Sequence, residues 1–208
     1  KQFQKYNKNC QILAFDHTVD RKFWTKRFLR DFISLLLLKQ FKLIKIIDLF
    51  KFFQYLIFFR GKNKHYQKKI VSKKTNINNQ VTITDAIGDN KDIVLKIDIE
   101  GDEYKVLDEV NKNFGKLNLV IIEFHNLQKN LKKIKDFINK SKLRNIHINA
   151  NNYGMVDNKG IPQVIEMTLI NPKKFRIKKQ KTTKNYPIKG LDYKNRKRGP
   201  EIKISFRN

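Results

Sequence analysis

Acidic and imidazole side chains follow short apolar runs at four places in this 208-residue chain. Asp16 and His17 come after Gln11–Phe15, Asp98 and Glu100 come after Ile93–Ile97, and Glu123 and His125 close Leu119–Phe124. His147 and Asn149 lie in a fourth run, Asn145–Asn149, with Asn151 and Asn152 just beyond it. Apolar runs of this length suit strands buried in a parallel sheet. In an open α/β sheet, ligands bind beyond the carboxyl ends of the strands. These residues are therefore expected to converge on one rim.

Each has a chemical role and an ordinary alternative. A carboxylate at Asp16 can accept both hydroxyls of a ribose, or it can cap the next helix. The run Asp98-Ile-Glu-Gly-Asp-Glu103 is either ligand-bearing or an acidic helix start favoured by the helix dipole. Asp98 ends the strand and escapes the second reading, whereas Glu103 fits it. An imidazole, with an unperturbed pKa of about 6.5, can take a proton from a hydroxyl at neutral pH. That role falls to His125 or His147, with Glu123 orienting the ring; His65, in a basic turn, reads as structural. Asn149, Asn151 and Asn152 donate and accept hydrogen bonds, which suits a hydroxyl-rich substrate, but Asn near Gly154 is also common turn chemistry. Imidazole and carboxylate groups bind Zn, Mn or Fe. No tight ligand spacing occurs, and no metal is expected.

The elements that must position these residues alternate. Helical sequence covers about 21–60, Lys69–Val71 is a short strand, Thr75–Gln80 is polar loop, and Val81–Ile87 is a helical turn closed by Gly88. Strand Ile93–Ile97 leads to a helix over Asp102–Val110, and strand Leu119–Phe124 leads to a helix over Leu127–Lys140. Strands Asn145–Asn149 and Val164–Ile170 follow. This order predicts an α/β domain over 1–170 with a mostly parallel sheet and helices on both faces. Residues 171–208, basic and holding Pro172, Pro187 and Pro200, are expected to form an extended tail.

Composition narrows the partners. The net charge of +27, from 46 Lys+Arg against 19 Asp+Glu, raises nucleic acid as a partner. Lys, Asn and Ile abound along the whole chain, however, and Lys far outnumbers Arg, which dilutes that signal, since recognition elements favour Arg in a localised patch; the basic tail is where nucleic acid would be met. Cys10 has no cysteine partner, which sets a reducing cytoplasm as the expected compartment. Lys39, Lys42, Lys45, Asp48 and Lys51 interrupt the apolar stretch Phe32–Phe59, so it holds no run of the roughly 20 residues a membrane span needs.

Taken in order, five blocks carry a resemblance. Ala14-Phe-Asp16-His-Thr18, Leu95-Lys-Ile-Asp98-Ile-Glu100-Gly101-Asp-Glu103-Tyr, Glu123-Phe-His125, His147-Ile-Asn-Ala-Asn151-Asn152 and, after Pro162, Val164-Ile-Glu166-Met-Thr168 resemble the blocks of FkbM-like methyltransferases. The resemblance implies a Rossmann-like class I methyltransferase fold, S-adenosylmethionine as donor, and transfer to a hydroxyl oxygen of a sugar or other small molecule. By position it implies that Asp16, after the second strand of the family's sheet, holds the cofactor ribose and that Asp98, after the fourth, lies close to the methyl group. With the strand-end residues added, the expected cofactor contacts are Asp16, His17, Asp98 and Glu100, the expected chemistry falls to Asp98, Glu123, His125 and His147, and the expected substrate contacts to Asn149, Asn151, Asn152 and Glu166. The family's first strand and glycine-rich turn belong upstream of Asp16, and Lys1–Asn9 holds no glycine. An N-terminally truncated methyltransferase domain is the expectation. A basic RNA-binding or RNA-modifying module and a noncatalytic remnant of the fold are the competing readings.

Overall fold

The computed structural model describes residues 2–36, 43–75, 78–176 and 185–204. The middle of the predicted helical stretch, 37–42, residues 76–77 of the predicted loop, and 177–184 and 205–208 of the tail lie outside the described residues. The chain divides into two compact units, Lys1–Ile70 with Lys74–Val81, and Val71–Lys73 with Thr82–Asn208.

The first unit holds helix α1 (Gln2–Tyr6), strand β1 (Leu13–Phe15), helices α2 (Arg21–Leu36) and α3 (Leu43–Phe58), and strands β2 (Lys64–Tyr66), β3 (Lys69–Ile70) and β4 (Gln80–Val81). The predicted helical stretch is two helices joined by aromatic packing: the Phe28 ring lies 5.6 Å from that of Phe52 and 5.8 Å from that of Phe53. Trp24 lies 5.3 Å from Tyr55, whose hydroxyl is 2.8 Å from Nδ1 of His65. Buried Asn63 joins the ends of three segments, accepting from Gln4 Nε2 and the Ile12 amide and donating to the Phe58 carbonyl. β1 pairs with β2 and β3 with β4, both in parallel. Among the described residues no helix is long and apolar enough to cross a membrane.

The second unit begins with α4 (Ile83–Ile87), capped by Thr82 and ended by Gly88 at φ 53°. It continues through β5 (Ile93–Ile97), a 3-10 turn at Glu103–Lys105, α5 (Leu107–Lys112), a second 3-10 turn at Phe114–Lys116, β6 (Leu117–Phe124), α6 (Leu127–Lys140), β7 (Arg144–Ala150) and β8 (Ile165–Ile170). The four strands form one sheet in the order β5-β6-β8-β7. β5 runs parallel to β6, and β8 runs antiparallel to both β6 and β7. It follows that β5, β6 and β7 point the same way and end on one rim.

The expectation of one mostly parallel sheet needs correction, because the described strands form two small parallel pairs and one mixed sheet. The connection from β7 to β8 contains no helix, and without a crossover helix the chain returns antiparallel. Side chains on the sheet alternate instead of being buried on both faces. Ile165, Met167 and Leu169 are buried while Glu166, Thr168 and Ile170 between them are half-buried, and in β5 Val94 and Lys96 are exposed. The turn and helices add the buried Val106, Leu107, Val110, Leu127, Ile134 and Phe137 to the unit's apolar core.

Candidate active site at the sheet rim

After β5 the chain makes a tight turn. Glu100 has φ 56° and Gly101 φ 105°, both left-handed. Glycine adopts that region freely, whereas a glutamate there costs on the order of 1 kcal/mol and must be held. Glu103 holds it. Its Oε1 accepts from the amides of Ile99 at 3.1 Å and Gly101 at 3.0 Å, and its Oε2 from Gly101 at 3.1 Å. The Glu103 side chain is fully buried, and burying a carboxylate is expensive unless it is bonded. Its remaining partner is Nδ1 of His125, 2.9 Å from Oε1. A carboxylate that already accepts from two amides accepts from Nδ1 as well, so Nδ1 carries the ring proton and the neutral ring keeps its lone pair on Nε2.

His125 follows β6 and is fixed at its backbone too. Its carbonyl accepts from the Tyr104 hydroxyl at 2.6 Å, and the Tyr104 ring lies 5.5 Å from that of Phe124. Burial first, and then the negative charge of Glu103, push the Tyr104 phenol up from 10.0 to about 12, so it remains a donor to the carbonyl across the neutral range. Nε2 of His125 lies 3.5 Å from Oε2 of Glu100 and 4.0 Å from Oε1 of Glu123. Glu123, nearly buried, accepts from Nδ2 of Asn151 at 2.7 Å, and Asn151 Oδ1 in turn accepts from the Tyr153 amide. Ligand atoms of Asp98, Glu123 and His125 all lie within 4.8 Å of one another. Asp98 is exposed, and among the described residues it has no hydrogen-bond or ion-pair partner.

The structure thus brings together Asp98, Glu100, Glu123, His125 and Asn151 at the ends of three strands. Glu166 stands opposite Glu123 across the sheet and pairs with Lys96 at 3.6 Å, and Asn149 is opposite Glu166. His147, two residues earlier on the edge strand β7, faces the C-terminal segment: its Nε2 is 2.7 Å from Oδ1 of Asp192, and its ring is 5.1 Å from that of Tyr186. Asn152 serves the same segment, accepting from the Arg196 amide and donating to the carbonyls of Arg196 and Pro200. The described part of the predicted tail is accordingly turned and bridged, Tyr186 pairing with Ile204.

Asp16 and His17 lie in the other unit, after β1. Oδ1 of Asp16 accepts from the Thr18 amide at 2.7 Å, the Thr18 hydroxyl at 2.6 Å and the Val19 amide at 3.3 Å. Burial raises the pKa of this carboxyl, but those three bonds and the nearby His65 together hold it below the usual 3.8. The cap at the start of α2 is Asp20, which accepts from the Phe23 amide at 2.5 Å. His17 is exposed.

Two residues of the rim escaped sequence reasoning, Glu103 as a positioning carboxylate and Tyr104 as the clamp on His125. The signal for Glu103 was present: it lies three, four and seven residues before Val106, Leu107 and Val110, which puts it in phase with the buried stripe instead of the solvent face.

A search of curated proteins and a search of solved structures found no match. Residues 40–153, more than half of the chain, match the methyltransferase FkbM domain. That stretch includes β5, β6 and every residue of the Asp98–Glu100–Glu103–Glu123–His125 cluster, and it ends just past Asn151. The chain belongs to the FkbM methyltransferase family.

Proposed function

We propose that this protein transfers the methyl group of S-adenosylmethionine to a hydroxyl oxygen of a sugar or other small molecule, with Asp98, Glu123 and His125 at the reacting end. The observation that carries the reading is the His125 ring, whose Nδ1 is fixed on buried Glu103 while Nε2 lies among the rim carboxylates. Methyl transfer to a hydroxyl needs alignment and removal of one proton. The rim cluster offers carboxylates to orient acceptor hydroxyls and an imidazole to receive the proton.

The donor supplies an electrophilic methyl group on a positively charged sulfur, and the chain's side chains fit it. Exposed Asp98 and Glu100 place negative charge where β5 ends. Asp16 keeps Oδ2 outside the bonds of its own turn, which suits the hydroxyls of a ribose. A cytoplasmic setting belongs to the same reading, since Cys10 has no cysteine to pair with. No observation favours nucleic acid over a small acceptor, because the lysines spread along the whole chain.

The test is methyl transfer from labelled S-adenosylmethionine to a panel of sugars and small polyols, using the purified protein. Transfer that disappears in Asp98→Asn and His125→Gln supports the reading. Absence of cofactor binding in the folded protein, or transfer indifferent to both substitutions, would sink it.

A further inference from the structure

We infer that Asp98, Glu123 and His125 form a divalent cation site, and that the cation's open positions take oxygens of the acceptor. The residue types suit it: two carboxylates and one imidazole are a common donor set for Mn, Fe or Zn. The sequence hid it, because Asp98 and His125 follow different strands and only the sheet brings their ligand atoms, with that of Glu123, within 4.8 Å.

The surroundings are those of ligands held for a metal. A metal-bound histidine usually gives its other ring N–H to a carboxylate, which fixes the tautomer and turns the lone pair toward the ion. His125 has that arrangement, with Nδ1 on Glu103, a side chain with no exposure, and Nε2 4.0 Å from Oε1 of Glu123. Glu123 is held likewise by Asn151 at 2.7 Å. Metal–ligand bonds of about 2.1 Å keep any two ligand atoms within about 4.2 Å of each other. The cluster reaches this by a turn of Asp98, its one exposed member, which among the described residues has no other partner to give up. Glu100, with Oε2 3.5 Å from Nε2 and its side chain largely exposed, is free to swing in as a further oxygen ligand or to make way for the acceptor.

The cation's role in the reaction rests on the methyltransferase reading, but its binding does not. A hydroxyl oxygen on a divalent cation loses its proton more readily; with Nε2 of His125 then a ligand, that proton passes to the exposed Glu100 carboxylate and on to solvent, and the acceptor class would be one with two neighbouring oxygens, such as a vicinal diol, able to chelate. Without a cation the same cluster is an imidazole among carboxylates acting as a free base, and the two states are separable.

Manganese titration followed by electron paramagnetic resonance, with calorimetry for magnesium and zinc, tests the site on the 208-residue chain. One saturable site per chain is expected, weakened at least ten-fold in Asp98→Asn and in Glu123→Gln. A loss of ten- to a hundred-fold is expected in Glu103→Gln, and none in His147→Gln. Asp98 is exposed, so circular dichroism of Asp98→Asn should match the parent and keep the result interpretable if a buried variant misfolds. No saturable binding, or binding equal in parent and Asp98→Asn, overturns the inference. Methyl transfer that persists undiminished in excess chelator overturns the cation's part in the reaction while leaving the methyltransferase reading intact. Cation binding without methyl transfer to any hydroxyl would uphold the site and fail that reading instead.

Discussion

Glu103, with no exposed side-chain surface, lies 2.9 Å from Nδ1 of His125 and bonds with the same carboxylate to the amides of Ile99 and Gly101. One buried group therefore sets both the strand-end turn that carries Asp98 and the ring that faces it.

Replacing that group should be felt twice. In Glu103→Gln the amide cannot accept from Nδ1 and both backbone amides at once, leaving a buried donor without a partner. Stability should fall by about 1–3 kcal/mol, and methyl transfer by more than that loss explains, with a changed pH profile as the His125 tautomer is released. Denaturant midpoints and turnover on one preparation check this. A stability loss with unchanged pH profile would leave Glu103 as scaffold only.

Asp98→Asn should separate the two effects. The carboxylate is exposed and without a partner among the described residues, so the change in stability should stay within about 0.5 kcal/mol. Turnover should fall by roughly a hundred- to a thousand-fold, as removal of one preorganised electrostatic group does. Melting curves and initial rates decide it, and a large melting loss with proportionate activity loss would assign Asp98 to the fold.

Tyr104 makes a prediction in alkali. Its phenol is raised from 10.0 to about 12 by burial and then by Glu103. Folding thus favours the protonated form, so its contribution is fully present below pH 10 and is lost as pH rises toward about 12. Ultraviolet titration should show one late-ionising tyrosine that Tyr104→Phe removes, and urea midpoints of the parent should fall more steeply over that range than those of the variant. Parallel curves would contradict the assignment.

His147 and Asp192 should govern the C-terminal segment more than the rim. His147→Gln is expected to speed hydrogen exchange at the Ile188, Asp192 and Arg196 amides while leaving those of Ile99 and Gly101 protected. Methyl transfer should suffer far less than in His125→Gln. Equal losses of activity in the two variants would return His147 to the reacting centre.

Strand β5 and helix α6 run over the same residues that apolar spacing predicts, because each combines a clear period with sharp ends at Asp98 and Asn126. Strands β2 and β4 were not legible. They hold three and two residues, their sequences Lys-His-Tyr and Gln-Val carry no pattern, and they exist through pairing with β1 and β3. The direction of β8 was not legible either, since alternation of buried residues reads the same in both directions. The helix predicted over Asp102–Val110 breaks into a 3-10 turn and α5. There the inward Glu103 claims the amides of Ile99 and Gly101, and Asp102 makes no capping bond. At the rim, the strand-end rule found Asp98, Glu100, Glu123 and His125. It also selected His147, because sequence alone does not say which neighbour an edge strand faces.

Glu123, Glu166 and Asn149 form a single row across three strands because the pairing register puts them there. A slip of any one of these strands by one residue would send its member of the row to the opposite face. Glu123 is thus as durable as the sheet itself, while Asp98, on the turn after β5, depends on a few hydrogen bonds that can open locally. On gentle heating the protein should lose its activity before its sheet, with Glu123 still in place and Asp98 already astray, and it should regain that activity at once on cooling.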